Sequence, residues 1–171
     1  VDRDAPEDEQ VEAVKDADFL VVFTQTLSDR VLRSATKVRL VQQLSAGYDQ
    51  LNLGLMEEME IPFANNGGAN SWAVSDHAVL LMLALYGKLV ALDRATRDGR
   101  WMEPIDGTNT FEMAGKLVGI LGIGRIGKQV ARRVQGFDSS VQYHDKVPLP
   151  PETNKELNVS PVELGTLFET S

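Results

Sequence analysis

The sequence has no cysteine and two histidines, His77 and His144. Without cysteine there is no disulfide, no thiolate metal ligand and no cysteine nucleophile, and two histidines leave little from which to build a metal site. This fits a reducing compartment, and a cytoplasmic location is the expectation. Basic clusters are missing as well. The formal net charge is −8, and no run of Lys and Arg could displace counterions from a polyanion, so nucleic acid is excluded as a partner. Long apolar runs are also absent. The longest, AVLLMLALY at 78–86, falls far short of the roughly 20 residues that a membrane span requires, which excludes a membrane partner. The opening VDRDAPEDEQ is acidic and lacks the apolar stretch of a secretory signal. The chain starts at Val1 rather than at Met, and it reads as a soluble protein or a part of one.

What is present is the material of a globular core. Of 171 residues, 43% are apolar, enough for one ordinary domain or two small ones. ADFLVVFT (17–24) reads as a buried strand, and SDRVLRSAT (28–36) as a helix capped by Ser28. VRLVQQLS (38–45) reads as a second strand, LGLMEEME as a short helix and IPFA (61–64) as a third strand before the loop NNGGA. Strands alternating with helices favour a parallel sheet covered on both faces, the α/β class. From Asn70 to Arg97 the only helix breaker is Gly87, which predicts one long helix buried on most sides, capped by Asn70 or Ser71. DGRWMEPIDGTNTFEMAG (98–115) reads as an irregular connector. KLVGIL then opens a new strand–helix–strand pattern, with VQYHD as its second strand and PVELGTLFE as a helical fragment. These shifts place a domain boundary near residue 69, giving regions 1–69 and 70–171.

The second region carries the most specific signal. LVGILGIGRIGKQVARRV (117–134) runs from a strand through G-x-G-x-x-G into a helix. In that context each glycine has a steric role. Gly122 makes the turn, Gly124 leaves the backbone open to a pyrophosphate, and Gly127 lets the helix pack close to the sheet. The helix that follows, IGKQVARRV (126–134), points its N-terminal amides and positive dipole end at the phosphates. Asp145 ends the next strand, eighteen residues past Gly127. An acid there hydrogen-bonds a ribose 2′-hydroxyl and repels a 2′-phosphate, so NAD is expected over NADP. The neighbouring Lys146 weakens that preference slightly.

Three stretches then resemble the D-isomer-specific 2-hydroxyacid dehydrogenase family: VQQLSAGYDQLNL (41–53), IPFANNGGANSWAVSDHAVLLMLAL (61–85), and FEMAGKLVGILGIGRIGKQVARRVQGF (111–137) with YHD after it. The resemblance implies a Rossmann-type doubly wound parallel sheet, truncated, in 70–171, and part of a flavodoxin-like α/β substrate domain in 1–69. It implies a small 2-oxo or 2-hydroxy acid substrate whose carboxylate is held by main-chain amides at Ala46 and Gly47, with Ser45 adjacent. Cofactor contacts fall at Gly122, Gly124, Arg125, Ile126, Gly127 and Asp145. Domain closure about a hinge near Asn70 would exclude water. The long helix and the 98–112 loop resemble the segment through which members form homodimers.

No catalytic residue is assigned within the chain. The family's arginine, glutamate and histidine lie beyond Ser171, and its first strand lies before Val1. The sequence is therefore expected to be partial at both ends, poorly folded and inactive on its own. Thr24 and Gln25 occupy a region that bears on substrate choice in many members. His77 is expected to be a hydrogen-bonded core or hinge residue, His144 to face outward, and Trp72 and Trp101 to serve packing or interfaces. Two alternatives remain: an NAD-sensing, corepressor-like interaction protein on the same scaffold, and a formate dehydrogenase-like enzyme. The Arg, Glu and His at the family's downstream positions separate an enzyme from the corepressor-like protein.

Overall fold

The computed structural model describes residues 5–23, 26–101 and 110–171. The chain divides into two compact units, Val1–Asn70 and Ser71–Ser171.

The first unit runs α1 (Glu7–Val14), β1 (Phe19–Val22), α2 (Asp29–Ser34), β2 (Leu40–Gln43), α3 (Leu53–Glu58) and β3 (Phe63–Ala64). Its sheet is parallel with strand order β1-β2-β3. Ser28 caps α2 as expected, its Oγ accepting from the Val31 amide at 3.2 Å. Asn52 does the same for α3, accepting from the Leu55 amide at 3.0 Å. α1 has no counterpart in the sequence pattern. Its only inward residues are Val11 and Val14, and it is favoured instead by Glu7, Asp8 and Glu9 in its first turn.

One expectation fails in this unit. The helices do not cover both faces of the sheet, because right-handed crossovers between strands laid down in sequential order place both connecting helices on the same side. Val11, Val22, Leu32, Val41 and Met56 therefore share a single core. Phe19 and Val21 on the opposite face of β1, and Phe23 just beyond it, stay exposed.

The second unit runs α4 (Ser71–Tyr86), α5 (Leu89–Arg97), β4 (Leu117–Leu121), α6 (Arg125–Gln135), β5 (Ser140–His144), α7 (Pro151–Leu157), β6 (Val159–Pro161) and α8 (Leu164–Thr170). Its sheet is also parallel, with order β4-β5-β6. On one face α6 buries Val130, Ala131 and Val134 against Ile120, Val141 and Tyr143. On the other face α8 packs Leu167 beside Gly119. There the Gln142 amide donates to Thr170 Oγ1 at 2.7 Å and to Ser171 Oγ at 2.9 Å. Helices on both faces of a parallel sheet are the start of double winding.

The single helix expected over 70–97 is instead two. Gly87 and Lys88 form the turn between them, Lys88 in a left-handed conformation with φ 49°, so that α4 ends at Tyr86 and α5 begins at Leu89. Nor is this segment buried on most sides. Within α4 only Ser71, Ser75 and Val79 are buried, and Leu81 and Leu85 are 56% and 67% exposed. Among the described residues, no helix is long and apolar enough to cross a membrane.

Candidate functional site

The predicted cofactor residues fall at the C-terminal ends of β4 and β5. Gly122 has φ +92°, a conformation that only glycine adopts freely, and its amide donates to the His144 carbonyl at 2.8 Å. The chain thus leaves β4 by turning across the end of β5. A Cβ on Gly127 would overlap the Gly122 carbonyl oxygen, so α6 sits against the turn at a distance only glycine permits. Gly124 is the opposite case: a Cβ there would meet nothing within 4 Å. It is also the N-cap of α6 and offers no capping side chain, leaving the helix end accessible to an anion. Arg125 and Ile126 form the first turn of α6, with Ile126 exposed.

Asp145 is half-buried and clamped to the same turn. Its Oδ2 accepts from the buried Ile123 amide at 2.8 Å and its Oδ1 from the Val147 amide at 3.2 Å. These hydrogen bonds, Val147 first and Ile123 second, hold its carboxyl below the usual carboxylate range. Each oxygen keeps lone pairs for a further donor. A cavity of about 480 Å³ opens beside it, lined by His144, Asp145, Pro148, Pro161, Val162 and Glu163. The residues present fit a dinucleotide: an open glycine at a helix N-terminus, a second glycine that closes the packing, and a fixed carboxylate next to a cavity.

The predicted substrate residues lie in the first unit, on the loop that leaves β2. Ser45 Oγ donates to the Gly47 carbonyl at 2.9 Å, and a Cβ on Gly47 would come no closer than 3.8 Å to Asp49. Gln43, Ser45, Gly47, Tyr48 and Gln50 are among the residues lining a cavity of about 300 Å³.

Three residues that sequence reasoning passed over support this loop. Gln43 Nε2 donates to Ser45 Oγ and the Gly47 carbonyl, Asn65 Nδ2 to the Ala46 carbonyl, and Asn66 Nδ2 to the Leu44 carbonyl. The available signals were a buried-register glutamine in an apolar strand and an Asn-Asn pair after the next one.

Other expectations change. His77 is exposed on α4 rather than a hydrogen-bonded core residue. His144 does not face outward: it is half-buried, with Nδ1 3.0 Å from the Val162 carbonyl oxygen. Trp72 and Trp101 are both exposed, and the Arg133 guanidinium lies 5.1 Å from the Trp72 ring centroid. Thr24 and Gln25 lie outside the described residues, as do residues 102–109 of the connector.

Residues 79–171 match the family model described as the NAD-binding domain of D-isomer specific 2-hydroxyacid dehydrogenases. A glyoxylate reductase from Korarchaeum cryptofilum is 34% identical over 165 residues, covering 94% of this chain and 49% of that protein. A D-3-phosphoglycerate dehydrogenase from Archaeoglobus fulgidus is 28% identical over 166 residues, covering 96% of this chain and 31% of that protein. Among solved structures, a glyoxylate reductase from Paecilomyes thermophila superimposes with a TM-score of 0.85 at 25% identity, covering 95% of this chain and 51% of that one. The chain spans about half the length of the glyoxylate reductases it matches. The chain belongs to the D-isomer-specific 2-hydroxyacid dehydrogenase family and carries sequence of its NAD-binding domain.

Proposed function

We propose that the protein is an NAD-dependent oxidoreductase acting on the CH–OH group of its donors, interconverting a D-2-hydroxy acid and a 2-oxo acid. The observation that carries this reading is the pairing of an open Gly124 at the start of α6 with a carboxylate, Asp145, fixed on the same turn. Gly122, Gly124, Arg125, Ile126 and Gly127 would hold the pyrophosphate on main-chain amides. Asp145 would accept the ribose hydroxyls and, being ionised, disfavour the 2′-phosphate of NADP. When bound, the nicotinamide supplies or accepts the hydride. Region 70–171 serves the cofactor, and region 1–69 serves the substrate. There the amides of Ala46 and Gly47, with Ser45 beside them, would take the substrate carboxylate. No residue of the chain is assigned to proton transfer.

The similarity to glyoxylate reductases supports a small 2-oxo acid as substrate. The exposed Leu81, Leu85 and Val90 support a homodimer through α4 and α5, measurable by light scattering of the full-length protein. The absence of cysteine supports a reducing, cytoplasmic setting. Assaying the full-length protein with glyoxylate, hydroxypyruvate and pyruvate against NADH and NADPH tests the assignment. Turnover of at least one acid with NADH favoured over NADPH is expected. A clear preference for NADPH removes the role given to Asp145, and no turnover of any acid removes the activity.

A further inference from the structure

The Ser45–Gly47 loop is held from behind by side-chain amides. The Leu44 carbonyl accepts from Asn66 Nδ2 at 3.4 Å, the Ser45 carbonyl from the Asn66 amide at 3.1 Å and the Ala46 carbonyl from Asn65 Nδ2 at 2.7 Å. The Gly47 carbonyl accepts from both Gln43 Nε2 at 3.1 Å and Ser45 Oγ at 2.9 Å. Four consecutive carbonyls are therefore drawn toward the ends of β2 and β3. In a trans peptide the N–H points opposite to the C=O of the same plane. Fixing the carbonyls of residues 45, 46 and 47 thus turns the amides of Ala46, Gly47 and Tyr48 the other way. Among the described residues none of these three amides donates to another group. Successive outward amides make a concave anion site, suited to a carboxylate.

Gln43 stands out among the groups that set this geometry. It is 3% exposed, and its Oε1 is buried with no hydrogen-bond partner. An unsatisfied buried acceptor is costly, and an apolar side chain of the same volume would suit this register of β2 better. What glutamine supplies and such a side chain does not is the Nε2 that grips Ser45 and Gly47. Gly47 O accepts only, which also fixes which end of the amide faces it.

We propose that Gln43 and Asn65 are positioning residues, which hold the loop with its carbonyls inward so that its amides receive the substrate carboxylate. This rests on the reading above that Ala46 and Gly47 bind that carboxylate. The test is steady-state kinetics of the full-length enzyme on its best 2-oxo acid and on the neutral methyl ester of that acid, for wild type, Gln43→Met and Asn65→Ala. Wild type should prefer the acid. In both variants KM for the acid should rise roughly tenfold, with kcat, KM for NADH and the ester kinetics within about twofold. Gln43→Met should keep or raise Tm, which a purely structural role for the glutamine would not give. Should Gln43→Met not fold, Asn65→Ala carries the test alone. Acid preference retained in the folded variants, or equal losses on acid and ester, overturns the proposal and leaves the carboxylate reading standing. A wild type without acid preference, or without turnover, removes both.

Discussion

Three glycines in one short turn have three different physical reasons, and two of them can be separated by experiment. A methyl group on Gly127 would run into the Gly122 backbone, which cannot move aside as a flexible side chain can. Gly127→Ala should therefore cost about 1–3 kcal/mol of stability and weaken cofactor binding with it, read by thermal denaturation and calorimetry. A methyl group on Gly124 meets nothing in the protein. Gly124→Ala should leave stability within about 0.5 kcal/mol of wild type while lowering NAD affinity roughly tenfold or more. Asp145 yields a pH prediction. Its folded pKa is depressed by the Val147 and Ile123 amides, so its contribution is fully present above the unfolded carboxylate value of about 3.9 and is lost as pH falls through the lower folded value. Thermal denaturation between pH 7 and pH 3 should show a shallower loss of stability on the acid side for Asp145→Asn than for wild type. The glycines and the acid were legible because their roles depend on spacing along one turn and the next strand. Gln43, Asn65 and Asn66 were not, because their partners are set by how β2 and β3 lie together.

Among the elements, legibility followed periodicity and capping. β1, β2, β4, β5 and α6 were found because each is an apolar or amphipathic run bounded by a turn signal. α2 was found because Ser28 sits where an N-cap belongs. Replacing that serine by alanine should lower stability by about 1 kcal/mol, measured by denaturant unfolding, through loss of the bond to the Val31 amide. The same change removes the contact from Ser28 Oγ to Glu7 of α1. α1 and α7 escaped detection because α1 buries only Val11 and Val14 and α7 only Leu157, too few for a visible stripe. The run from 70 to 97 misled for the opposite reason. Continuous apolar residues hid a break that depends on one backbone conformation at Lys88, and a left-handed lysine leaves no compositional trace.

For the whole molecule, the α/β class and a division close to residue 70 could be read from the alternation of strands and helices and from the loop NNGGA. The side on which the helices lie could not. In both units the strands are added in the same sequential order, which keeps the connecting helices on one face; the second unit covers its other face with α8, which follows β6, while in the first Phe19 and Val21 stay exposed. The functional reading rests on the turn between β4 and α6 accepting an unphosphorylated dinucleotide on its backbone. Calorimetric titration of NAD into the full-length protein, with Gly124→Ala alongside, examines this most directly. Saturable NAD binding that weakens about tenfold in the variant, at unchanged Tm, is the expected result. No measurable NAD binding, or a variant that binds as tightly as wild type, would contradict it.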